Sequence, residues 1–130
     1  MKFVIALCAP PHTPGARRAL RFAQAAVAQG HEISRLFFYQ DGVWVADNHL
    51  VTPQDESDLV SQWRSFIQDN QLDAVVCIAA ALRRGVLNAT EAKRYQREGF
   101  SLVEGYDLSG LGQWHDALQQ ADRSLCFGAH

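Results

Sequence analysis

The chain has 130 residues, 48% of them hydrophobic and 20% charged, enough to bury one real core and too few to make two domains the expectation, so residues 1–130 are read as one domain. A formal net charge of −2, with no run of Lys and Arg longer than two, gives no general attraction to phosphate backbones; any nucleic acid would be reached through a partner. Three widely spaced cysteines without a Cys-x-x-Cys pair suggest neither a disulfide framework nor a thiolate metal site and fit the reducing cytoplasm, and no stretch approaches the length of a membrane span.

Lys2 to Cys8 is continuous and apolar, as expected of a strand covered on both faces. The stretch is too short for a signal-peptide core and runs into Pro10-Pro11-His12 without a small-residue cleavage site. The prolines between Ala9 and Pro14 stop the strand and form a loop. Gly15 to Gln29 reads as a helix, with Ala19, Leu20, Phe22, Ala23, Ala26 and Val27 on one stripe and Gly30 as its stop. Glu32 to Tyr39 is the second strand. Asp41-Gly42 signals a turn, and Val43 to Ala46 is either a short extended segment or part of an irregular excursion that runs to Val51.

Thr52-Pro53-Gln54-Asp55 predicts a helix start, with Thr52 as N-cap, Pro53 at N1 and Asp55 at N3. Leu59, Val60, Trp63, Phe66 and Ile67 supply its apolar face to about Asn70. Asp73 to Ile78 is the third strand. Asn88 is placed as the N-cap of a further helix with Glu91 at N3. A short fourth strand is expected between Gly99 and Gly110, ending near Ser109. Leu111 to Ala121 reads as a helix with Trp114, Leu118 and Ala121 inward, and Arg123 to Gly128 as the last strand. This alternation predicts an α/β fold: a three-layer α/β/α arrangement around a mainly parallel sheet of about five strands with right-handed crossovers. Sites in such sheets form at the carboxyl ends of strands, which nominates the loops after Cys8, Tyr39, Cys77 and Ser109.

Cys77 is the leading candidate, because it ends the apolar run Ala74-Val75-Val76-Cys77-Ile78 and is followed by Ala79-Ala80-Ala81-Leu82-Arg83-Arg84-Gly85. If that segment begins as a helical turn, its N–H groups and Arg83 or Arg84 favour thiolate over thiol. The other reading is an inert core cysteine, since free Cys is among the most buried residue types. Cys8 has a similar position without a nearby arginine and reads either as a second reactive thiol or as a strand-end filler. Cys126 reads as core filler. The five histidines, His12, His31, His49, His115 and His130, lack metal-ligand spacing and read as surface or cap residues. A Cys–His dyad would need tertiary contact. Residues 9–15 carry three prolines and cannot present consecutive N–H donors to phosphate, and Ser109-Gly110-Leu111-Gly112 is too generic to restore nucleotide binding. Of the tryptophans, Trp44 is expected to be the most exposed to a partner.

The whole chain resembles the DsrE/DsrF-like sulfur-relay family, most closely its TusD-like branch. The resemblance is carried by Lys2-Phe3-Val4-Ile5, Phe22-Ala23-Gln24-Ala25, Gly30-His31-Glu32-Ile33 leading into Phe37-Phe38-Tyr39, and above all by Cys77 through Val86; Thr90-Glu91-Ala92, Leu108 through Gly112 and Ala121-Asp122-Arg123 follow in order. It implies one DsrE-like domain over 1–130 in which Cys77 matches the family's active cysteine. That residue accepts sulfane sulfur as a persulfide from a TusA-like carrier and passes it to a TusE-like acceptor. The sulfur is destined for the 2-thio group of wobble uridine in tRNA. The resemblance also implies TusB-like and TusC-like subunits in a heterohexamer with two copies of each, in the cytoplasm, with no cofactor and no metal. Arg83 and Arg84 then support the thiolate or dock an acidic partner. Cys8 is not part of the family's first loop and is either a bystander or a thiol able to trap a disulfide with Cys77. Two other roles stay open at this level: a DsrE-type carrier in dissimilatory sulfur oxidation, and a scaffold subunit whose thiol is structural.

Overall fold

Strands that are apolar on both faces need cover on both, and that demand organises the molecule. In the computed structural model, which describes residues 1–128, the first such strand is Lys2–Leu7 (β1), and Val4 to Leu7 are all buried. Helix Pro14–Ala28 (α1) follows, with Thr13 as N-cap and proline at N1. It ends where the sequence places the stop: Gly30 has φ +84°, its N–H reaches the Val27 carbonyl at 3.0 Å and the His31 N–H reaches Ala26 at 2.9 Å. Strand Glu32–Phe38 (β2) then returns beside β1.

Val43 to Ala46 is not an extended segment. Gln40–Ala46 is a 3-10 helix, and Val43, Val45 and Ala46 are fully buried. The cause lies in Gly42, which rests so close to the end of β1 that a Cβ there would meet the Leu7 carbonyl oxygen at 2.0 Å. The Tyr39 N–H donates to that same carbonyl at 2.9 Å, so the chain turns down onto β1 instead of continuing outward. Residues 101–103 clasp the other end: the Val103 N–H donates to Ala46 and the Asn48 N–H to Ser101. Trp44, expected to be exposed, is partly buried against the core.

The second long helix, Leu59–Asp69 (α2), begins six residues later than Thr52 would have it. Asp58 caps it, accepting the Ser61 N–H at 3.1 Å and the Ser61 hydroxyl at 2.7 Å, while Thr52 donates its own hydroxyl to Asp58 at 3.3 Å. A carboxylate with a serine at N3 satisfies the helix end better than Thr52, which is left to brace the cap from outside.

Strand Ala74–Cys77 (β3) leads without a break into helix Ile78–Arg83 (α3), followed by helix Ala89–Arg94 (α4), strand Asp107–Ser109 (β4), helix Gly112–Gln120 (α5) and strand Arg123–Phe127 (β5). Asn88 caps α4 as expected, accepting the Glu91 N–H at 2.8 Å. On α5 the inward small residue is Ala117, not Leu118, which is exposed; the step from Trp114 to the sheet is three residues and not four. The five strands form one all-parallel sheet in the order β4-β3-β2-β1-β5.

Adjacent aromatic residues of β2 show the three layers directly. Phe38 packs edge-on against Trp63 of α2 and against Tyr106, with ring centroids 5.6 and 5.5 Å apart, while Phe37 turns to the opposite face and meets Trp114 of α5 at 5.8 Å. Among the described residues no helix is long and apolar enough to cross a membrane.

Candidate functional site

Cys77 occupies two positions at once. It is the last residue of β3 and the N-cap of α3, with φ −61° and ψ 116°, an extended conformation that delivers the chain straight into the helix. The run of Ala and Leu after it explains the helix: Ala79, Ala80, Ala81 and Leu82 are strong helix formers with no side chain that competes for backbone hydrogen bonds. The first N–H groups of α3 lack intrahelical partners, and Cys77 is the residue at their end. Its sulfur makes no capping hydrogen bond to them.

The site is enclosed. β3 is flanked by β2 and β4, Cys77 is in register with Ser109, and the 3-10 helix packs against both β3 and α3. Cys77 is 2% exposed as a result. Little of Cys77 is therefore open to solvent in the isolated chain, which slows the approach of water and small thiols to the sulfur.

The two arginines sit at the other end of α3. That end closes on Gly85, which has φ +75° and whose N–H reaches Leu82, with the Val86 N–H returning to Ala81 at 2.9 Å. Arg84 adds a side-chain cap: Nη1 donates to the Ala80 carbonyl at 3.0 Å while Nε pairs with Asp41 Oδ1 at 2.9 Å. Arg84 thus ties the 3-10 helix to α3 and places positive charge at the negative end of the helix dipole. Arg83 is exposed, beside a surface depression of about 570 Å³ that His49, Leu87, Tyr95, Arg97 and Phe100 also line. A six-residue helix is about 9 Å long, so both arginines lie that far along the axis from Cys77. The contacts of Arg84 are with Asp41 and Ala80, not with the thiol.

Cys8 and Cys126 depart from their expected roles. Cys126 is exposed, because β5 is the outer strand of the sheet, so it is not core filler. Its sulfur lies 3.6 Å from that of Cys8. Burial, reinforced by the hydrogen bond and charge of Cys126, pushes the Cys8 thiol up to about 12. Cys8 is not placed to trap Cys77: β2 stands between β1 and β3, and two interstrand spacings of about 4.8 Å exceed disulfide reach. The sequence signal for the Cys8–Cys126 pair is weak, since two cysteines near strand ends meet only if those strands are neighbours.

Among the described residues no hydrogen bond joins a histidine to a thiol. His31 Nδ1 lies 2.9 Å from the N-terminal amine, and His115 Nε2 lies 3.0 Å from the Gln119 amide nitrogen. His12 and His49 line two separate surface depressions, and His130 falls outside the described residues.

A sequence profile of the DsrE/DsrF-like family matches residues 1–127. Among curated relatives, the chain is 65% identical over 128 residues to a protein named sulfurtransferase TusD homolog from Pseudomonas aeruginosa, covering 98% of each chain. It is 42% identical over 128 residues to the sulfurtransferase TusD of Enterobacter sp. (strain 638), covering 98% of this chain and all of that one. It is 40% identical over 129 residues to a putative sulfurtransferase DsrE of Allochromatium vinosum, covering 98% and 99%. Among solved structures, the YchN protein of E. coli superposes with a TM-score of 0.73 at 19% identity over 97% of both chains, a likeness of fold.

Proposed function

This chain belongs to the DsrE/DsrF-like family and is a sulfurtransferase, and we propose that Cys77 is the residue on which it carries sulfur. The observation that carries the reading is the position of Cys77 at the carboxyl edge of a parallel sheet, closing a buried strand and opening a helix. The reaction needs one thiolate. Cys77 attacks the outer sulfur of an incoming carrier persulfide, the carrier thiolate leaves with its electron pair, and Cys77 becomes the persulfide. An acceptor thiolate then takes that outer sulfur and restores the Cys77 thiolate. Enclosure suits this task, because a persulfide held at a residue 2% exposed is kept from stray thiols until an acceptor docks.

In the full reading the donor is a TusA-like carrier and the acceptor a TusE-like protein. The chain works in the cytoplasm beside TusB-like and TusC-like subunits in a heterohexamer, upstream of 2-thiolation of tRNA wobble uridine. The similarity to the two TusD-named relatives supports it. Arg83, exposed beside Arg97, suits docking of an acidic partner; Arg84 acts through the 3-10 helix that covers the site. The 40% identity to a DsrE-named relative supports a second reading, a carrier in dissimilatory sulfur oxidation with the same thiol chemistry.

The test is persulfide loading read by mass spectrometry after incubation with a persulfide donor. The native chain gains one sulfur atom on the peptide holding Cys77, and Cys77→Ser does not while keeping its circular dichroism spectrum. A Cys77→Ser chain that still supports tRNA thiolation in cells refutes the assignment. Copurification with TusB-like and TusC-like subunits favours the tRNA pathway; genes for sulfite reductase beside this one favour sulfur oxidation.

A further inference from the structure

The pairing of β1 with β5 brings two free thiols together at a place the relay chemistry does not use. Ala6 and Leu7 are in register with Cys126 and Phe127, and the Cys8 N–H donates to the Phe127 carbonyl at 2.9 Å, which fixes Cys8 diagonally across from Cys126. Their sulfurs, 3.6 Å apart, are already in van der Waals contact. A disulfide bond is about 2.05 Å long, so closure brings the two sulfurs about 1.5 Å nearer, by side-chain rotation together with a small shift of the outer strand.

The two thiols differ in a way that divides the work. Cys126 is exposed on an outer strand that, among the described residues, has β1 as its one neighbour, whereas Cys8 is half-buried and burial holds its thiol above the ordinary thiol value. A reagent from solution meets Cys126 first, and Cys8 lies behind it.

We propose that Cys8 and Cys126 form a second thiol site, separate from Cys77, that reacts with low-molecular-weight disulfides and closes to an intramolecular disulfide. The Cys126 thiolate attacks one sulfur of the small disulfide, breaks its S–S bond and releases one thiolate, leaving a mixed disulfide on Cys126. Cys8 then gives its proton to solvent and attacks the Cys126 sulfur, and the second small thiolate departs. The protein dithiol loses two electrons, the small disulfide gains them, and the two protons end on the two released thiols. The new bond staples the outer strand β5 to its neighbour β1. It leaves Cys77 free, because β2 lies between β1 and β3. This site does not depend on the role given to Cys77.

The experiment exposes the full chain to glutathione disulfide, quenches with acid and maps the tryptic peptides without reduction. Cleavage after Lys and Arg puts Cys8 in 3–17, Cys77 in 65–83 and Cys126 in 124–130. The expected product is 3–17 joined to 124–130, lighter than the two peptides by two hydrogen atoms, in the native chain and equally in Cys77→Ser. In Cys8→Ser the glutathione adduct stays on Cys126. A native chain that keeps the adduct on Cys126 without forming the joined peptide, or that joins 65–83 to either, overturns the proposal; that readout needs no variant to fold.

Discussion

Replacing Gly42 by alanine tests whether the lid of the site is held by a backbone contact. A Cβ at position 42 would stand 2.0 Å from the Leu7 oxygen and 2.8 Å from the Leu7 carbon. The carbonyl cannot retreat, because it accepts the Tyr39 N–H at 2.9 Å and belongs to β1, an interior strand paired on both sides. The 3-10 helix must lift by about 1 Å, and in a close-packed interior that strips dispersion contacts from Val43, Val45 and Ala46, all now at 0% exposure. Overpacking costs about 1–3 kcal/mol, and with backbone on both sides the upper end applies, about 3 kcal/mol or roughly 10 °C in Tm. Gly110→Ala is the control, since a Cβ there meets nothing within 4 Å. Thermal and urea unfolding measure both. Because the 3-10 helix packs on β3 and α3, alkylation of Cys77 by iodoacetamide should also speed up in Gly42→Ala, from a native rate slower than that of the exposed Cys126. A loss below about 1 kcal/mol for Gly42→Ala, or a loss matched by Gly110→Ala, refutes the reasoning.

Asp58→Ala should lower stability by about 1 kcal/mol through loss of the α2 cap. Hydrogen bonds from the Ser61 hydroxyl and N–H hold the Asp58 carboxyl below its ordinary value, so its contribution is present above about pH 4 and is lost as pH falls through the depressed folded value. The native chain should therefore show a steeper acid decline in urea-measured stability than the variant, and parallel declines would remove Asp58 as the cause. Arg84→Met breaks a half-exposed pair with Asp41 and a helix cap, and should cost about 1 kcal/mol while leaving the pH profile of Cys77 alkylation where it was. A shifted profile would mean that Arg84 acts on the sulfur after all.

Local chemistry determined much of what the sequence alone revealed. Gly30 and Asn88 stop and start their helices through bonds to residues three to five positions away, so their roles are visible in the chain itself. The alternation of apolar runs and amphipathic stripes likewise determined the α/β class, and the run from Val75 to Arg84 placed Cys77 at a strand-to-helix junction. Where local signals competed, reading the chain was not enough. Thr52 has the form of an N-cap, but Asp58 with Ser61 satisfies the helix end and takes the place. Val43 to Ala46 has the composition of a strand, but its geometry is dictated by the Leu7 carbonyl, 35 residues away from Gly42. The same holds for the thiols and the arginines. Only strand order puts Cys8 beside Cys126 and keeps it from Cys77, and only the direction of α3 puts Arg83 and Arg84 at the end remote from the sulfur. Strand order and lid packing depend on contacts between segments far apart in the chain, so they are decided when the sheet closes.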